Sequence, residues 1–107
     1  MRVIRLNDSE KGVFRVGRIF LRPGEEIGQH KTENREEIII VLRGEATLVK
    51  EGEKTFLKER DVHFIGNGIV HNVKNESRKK LEYIYVVNKA KGSSKRGNSC
   101  RAREPLA

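Results

Sequence analysis

From Val3 to Val87 the chain runs as short apolar or alternating segments, each closed by turn-forming residues, and helical periodicity is nearly absent. A period of two over four to eight residues suits a strand with one buried face, so the pattern predicts an all-β barrel or sandwich. Strands are expected over residues 3–6, 13–21, 37–42, 46–50, 54–57, 62–65, 71–74 and 81–87. Between them stand Asn7-Asp8, Pro23-Gly24, Arg43-Gly44, Glu51-Gly52, Gly66 to Gly68 and Asn75 to Ser77, the residue types that turns select. Glu51-Gly52, between two short strands, reads as a tight hairpin with Gly52 supplying a positive φ.

Two segments break the alternation. Residues 38–42 (IIIVL) are apolar on both faces, and residues 81–87 (LEYIYVV) nearly so. Such strands need cover on both sides, by the barrel interior and by something outside it. A chain of 107 residues has little material left for the second cover. A homodimer is therefore expected.

Charge changes the picture less than its size suggests. The formal net charge is +8. Residues 89–107 hold six Lys/Arg and one Glu, whereas residues 1–88 hold seventeen against fourteen. The excess thus sits mostly in a Gly/Ser/Lys/Arg-rich C-terminal stretch with Leu106 as its one large aliphatic residue, too little apolar surface to offset ordering entropy. The division expected is a β-barrel domain at 1–88 and a flexible basic tail at 89–107. A dimeric scaffold whose tail binds nucleic acid is the weakest functional reading, because the body shows no aromatic-rich basic patch. Cys100 reads as an incidental thiol of the tail.

One cysteine excludes a disulfide scaffold and a multi-cysteine zinc site. No apolar run exceeds five residues, so neither a transmembrane helix nor a secretory segment is expected, and the cytoplasm is the expected compartment. High charge of both signs with a single Gln, Met and Cys leans toward a heat-adapted source, and seven Asn lean against it.

The chemistry rests on three histidines and one carboxylate. His30 and Glu37 flank a strand connection, and His71 opens a later strand behind Gly68. Two imidazoles and a carboxylate could form a facial metal triad with open positions, although local spacing alone does not make them converge. Order and punctuation add the rest. Gly24, five residues, His30, Lys31, Thr32, four residues, Glu37, six residues and Gly44 follow in turn; Arg60 and Asp61 precede Gly66, Gly68, His71 and Asn75.

This arrangement resembles the two motifs of the cupin superfamily over residues 13–87. Thr32 stands in place of the second histidine of the first motif, and Arg60 and Gly66 in place of a glycine and a proline of the second. The resemblance implies a cupin-type jelly-roll β-barrel holding a divalent metal (Fe, Mn, Ni or Zn) through His30, Glu37 and His71. Thr32 and His63 are the additional candidates. Glu36 also neighbours the site, but the six-residue count to Gly44 favours Glu37, and alternation sends Glu36 outward. Asn75 reads as a turn former. A metal-dependent enzyme of isomerase, decarboxylase or dioxygenase type on a small oxygenated substrate is one functional reading. A noncatalytic small-ligand-binding barrel is the other.

Overall fold

The computed structural model describes residues 1–6 and 14–89. Nine strands and no helix form among them: β1 (Arg2–Arg5), β2 (Phe14–Leu21), β3 (His30–Lys31), β4 (Arg35–Arg43), β5 (Ala46–Lys50), β6 (Glu53–Leu57), β7 (Val62–Ile65), β8 (Val70–Lys74) and β9 (Leu81–Lys89). They make two antiparallel sheets, β1-β2-β9-β4-β7 and β3-β8-β5-β6. The expected strands are present with bounds shifted by a residue or two. The added one, β3, has no apolar pattern of its own; its two exposed residues are held by pairing with His71 and Val70 of β8. The basic tail from residue 90 onward, Cys100 and the turn at Asn7-Asp8 lie outside the described residues. Among the described residues no helix is long and apolar enough to cross a membrane.

Register sorts the side chains of the larger sheet into rows. On its inner face Arg15, Val87 and Glu37 align across β2, β9 and β4, followed by Gly17, Tyr85 and Ile39, then Ile19, Tyr83 and Val41, and finally Leu21 with Leu81. The rows pass from charged to apolar along the strands. The barrel is therefore packed at one end, where Ile39, Val41, Leu48, Ile65 and Leu81 are fully buried, and open at the other.

Both central residues of the β5–β6 hairpin, Glu51 (φ 47°) and Gly52 (φ 86°), lie in the left-handed region. That is the primed turn whose twist matches the flanking strands. Arg60 is left-handed as well, at φ 77°. It sits in the turn before β7, where Asp61 Oδ2 accepts from Lys58 N at 2.8 Å and Arg60 N donates to Val41 O at 2.8 Å. This is the position where the family motif carries glycine, and the φ gives the reason. A left-handed conformation costs an L-residue about 1–2 kcal/mol, and glycine's greater unfolded-state freedom returns about 0.5–1 kcal/mol of that. Arg60→Gly is expected to raise unfolding free energy by roughly 0.5–1 kcal/mol in urea titration; a loss would show that the arginine side chain contributes more than its backbone costs.

Candidate metal centre

Pairing between β3 and β8 sets His30 directly opposite His71, so their imidazoles meet edge to face with ring centroids 4.2 Å apart. Glu37 comes from the facing sheet, on the inner side of β4, and its Oε1 lies 3.1 Å from His71 Nε2. One donor atom from each of the three residues lies within 4.8 Å of the others. Glu37 and His71 are buried, while His30 is exposed at the open end. The convergence that spacing could not decide is thus a product of register between strands far apart in sequence.

The imidazoles are oriented by backbone carbonyls. His30 Nδ1 donates to Gly28 O at 2.9 Å, and His71 Nδ1 donates to Ile69 O at 3.0 Å. A carbonyl can only accept, so each Nδ1 carries a proton; the neutral His30 ring keeps its lone pair on Nε2, and that of His71 is freed when the proton it shares with Glu37 leaves. Metal-binding histidines are commonly oriented in this way. An ion about 2.1 Å from each donor requires donor separations of roughly 3–3.5 Å, a modest contraction of the present triangle. Two nitrogens and a carboxylate, two of them buried, fit a divalent first-row metal.

Burial pulls the His71 pKa down, but the hydrogen bond and charge of Glu37, with the Ile69 carbonyl, outweigh it and leave the imidazole above its ordinary 6.5. A raised folded value means that protonated His71 stabilises the metal-free fold below the ordinary value, and that this contribution is lost as pH rises through the folded one. Metal competes for the same lone pair, so uptake should strengthen in the opposite direction. We expect the melting-temperature deficit of metal-free Glu37→Gln to be larger at about pH 5.5 than at about pH 8.5. An equal deficit at both would remove the charge coupling.

The other two candidates serve different partners. Thr32 is buried; its Oγ1 donates to Gly66 O at 2.7 Å and accepts from Ile69 N at 3.2 Å. It ties β3 to the 66–69 turn that precedes His71, so its role is to hold the turn. His63 lies on the inner face of β7, opposite Ile39, but outside the three-residue cluster. Lys50 Nζ donates to its Nε2 at 3.0 Å, and burial followed by the Lys50 charge holds its pKa down. Glu36 lies opposite Asn88 on the outer face, as alternation requires. Asn75 clamps the base: its Nδ2 donates to Leu21 O at 3.0 Å and Lys79 O at 2.8 Å, and its Oδ1 accepts from Ser77.

The cupin-domain family model matches residues 17–87. The chain belongs to the cupin family. Among solved structures, this cupin is similar to a predicted oxalate decarboxylase from Thermotoga maritima, at 30% identity over 81% of this chain and 78% of that one, with a TM-score of 0.77. A cupin 2 conserved barrel domain protein from Salinispora arenicola is 26% identical over 83% of this chain and 76% of its own, with a TM-score of 0.74. The cupin domain of an XRE family transcriptional regulator from Enterobacter cloacae shares the fold alone, at 18% identity over 84% and 97% of the two chains and a TM-score of 0.77. No curated protein sequence matches significantly.

His30 and Glu37 open into a cleft of about 580 Å³ at the mouth of the cupin barrel. Ile19, Ile27, Val73 and Val87 give it apolar walls, and Tyr83 and Tyr85 bring phenols to it. The Tyr85 ring occupies the space that a side chain at Gly17 would need. Burial, then Glu37 and Tyr85, push the Tyr83 pKa up, so its phenol stays protonated. Sequence reasoning singled out none of the tyrosines, nor Arg15 and Arg35 at the rim; the signal for them is row register, which needs the strand pairing. A wider groove of about 840 Å³ lies at the far end of β4, beside Arg43 and Lys80, away from the triad.

Proposed function

We propose that this cupin domain binds one divalent metal ion through His30, Glu37 and His71 and acts on a small oxygenated molecule in the adjoining cleft. The observation that carries this is the commitment of both imidazole Nδ1 atoms to carbonyls beside a buried carboxylate, with all three donors within 4.8 Å. When bound, the metal supplies Lewis-acid or redox chemistry. The remaining contributions come from the chain. Glu37 supplies negative charge, the carbonyls of Gly28 and Ile69 hold the tautomers, and the apolar walls limit water around a bound molecule. Tyr83 and Tyr85 offer phenol groups inside the cleft. Whether the reaction is isomerisation, decarboxylation or dioxygenation is a question for substrate screening.

The noncatalytic reading draws on one observation. His63, the remaining imidazole, is engaged by Lys50 and so does not stand free as a general base. The experiment that separates the two is dialysis against Fe²⁺, Mn²⁺, Ni²⁺ or Zn²⁺ followed by elemental analysis. About one ion per chain is expected. A protein that retains none of the four is not a metalloenzyme; for one that retains metal, a substrate screen with turnover as the readout separates catalysis from binding.

The outer face of the larger sheet supports a homodimer. The row Phe64, Ile38, Val86, Val16 is apolar across four strands, and Val62, Ile40, Ile84 across three before the row reaches Arg18, which pairs with Glu82. Phe64 and Val62 are more than half exposed in one chain. An antiparallel sheet facing water places polar residues on that side, and these seven residues are all apolar.

A further inference from the structure

Besides the triad, the cleft has a second polar feature. Its rim carries Arg15 from β2 and Arg35 from β4, both on the inner face of the larger sheet. Arg15 shares its row with Val87 and Glu37, so its Cα stands about 10 Å from that of Glu37, two strand spacings away. Arg35 lies two residues before Glu37 on the same strand, about 7 Å along it. Arg15 is paired with Val87 and Arg35 with Lys89, and both side chains line the cleft that His30 and Glu37 also line.

Neither arginine is paired with a carboxylate among the described residues. Lys31 adds a third cation to the lining, against Glu33 and Glu37. A metal at the triad would offset the Glu37 charge and make the cleft more positive still. Two planar donors at the edge of a partly apolar pocket match a carboxylate, which guanidinium can hold in a bidentate pair. The separation between rim and triad leaves room for a short carbon body, and Ile19, Ile27 and Val73 can pack on it.

We infer that the cleft selects a short organic acid bearing a second oxygen function, with its carboxylate held by Arg15 and Arg35 and the other oxygen directed to the His30–Glu37–His71 cluster. The second half rests on the metal site proposed above; the first does not. Arg15 and Arg35 are then substrate-binding residues that set specificity for charge.

The test compares 4-hydroxybutyrate with 4-hydroxybutyramide, which differ in the charge of one end. Both are titrated calorimetrically into Co²⁺-loaded protein, whose visible spectrum reports metal occupancy independently, and into metal-free protein. The native chain should bind the acid at least roughly tenfold more tightly than the amide, in line with charge-assisted pairing. In the Arg15→Gln, Arg35→Gln double variant that preference should shrink to within about twofold, while the Co²⁺ spectrum and affinity stay unchanged. A preference that survives in the double variant would place the carboxylate on the metal and overturn the inference, as would equal binding of acid and amide by the native chain. Should the protein take up no Co²⁺, the metal reading fails by itself. The metal-free titration then still decides the arginine pair, which requires an acid preference that both substitutions remove.

Discussion

Glu37→Gln should lower Co²⁺ affinity by roughly 100-fold or more, about 2.7 kcal/mol, whereas Glu36→Gln should leave it within about threefold. The two carboxylates are adjacent in sequence and lie on opposite faces of β4. Glu37 is buried with Oε1 3.1 Å from His71 Nε2; Glu36 faces outward opposite Asn88. Glutamine keeps the shape and one oxygen at position 37 but removes the charge that makes the donor set attractive to a divalent ion. It also removes the group that holds the His71 pKa up, so the competing proton leaves more easily. That second effect favours metal and is the smaller of the two, because the lost charge acts on the ion directly. Calorimetric titration of both variants decides the matter. Strong loss in Glu36→Gln with Glu37→Gln spared would mean that β4 is displaced by one residue.

The same parity explains what could be read from the chain before its fold was known. Apolar or alternating runs closed by turn residues are enough to locate β2 and β9, and the six-residue interval from Glu37 to Gly44 selects the carboxylate that lies inward. The buried Asn75 clamp was legible as a turn because asparagine's short amide satisfies nearby backbone groups. Three features were not legible. Strand β3 is two exposed polar residues whose conformation is imposed by β8. The turn from Gly66 to Gly68 separates His63 from His71, and a turn resets the count that would have told its face. Lys50, its partner, is brought there by the β5–β8 pairing and not by any local pattern. Arg15 and Arg35 belong to this class too: an arginine near a strand end is unremarkable until cross-strand register places it over a site. Thr32 shows the reverse. Its place in the motif suggested the ion, but a hydroxyl surrounded by backbone groups of 66 and 69 makes a better tie than ligand.

The segment apolar on both faces, residues 38–42, leads to the second large effect. If a second copy covers the outer sheet, Ile38→Glu should convert a dimer into a monomer. Ile38 lies in its row between Phe64 on β7 and Val86 on β9, so a copy covering that row would bury a carboxylate placed there. An unpaired buried charge costs about 3–5 kcal/mol. A two-fold interface contains the substitution twice, so the dissociation constant should rise by roughly four to seven orders of magnitude. Inside the chain the same change is tolerable, since Ile38 is only half-buried in one copy and its neighbour Ile39 carries the core contact. Phe56→Glu is the control. Phe56 is 66% exposed on β6, in the other sheet, where no apolar row surrounds it. Sedimentation equilibrium at micromolar concentration should give a dimer for the native chain and for Phe56→Glu, and a monomer for Ile38→Glu with its β-sheet circular dichroism intact. A native monomer, or a dimer that survives Ile38→Glu, would leave the outer apolar rows without the partner assigned to them.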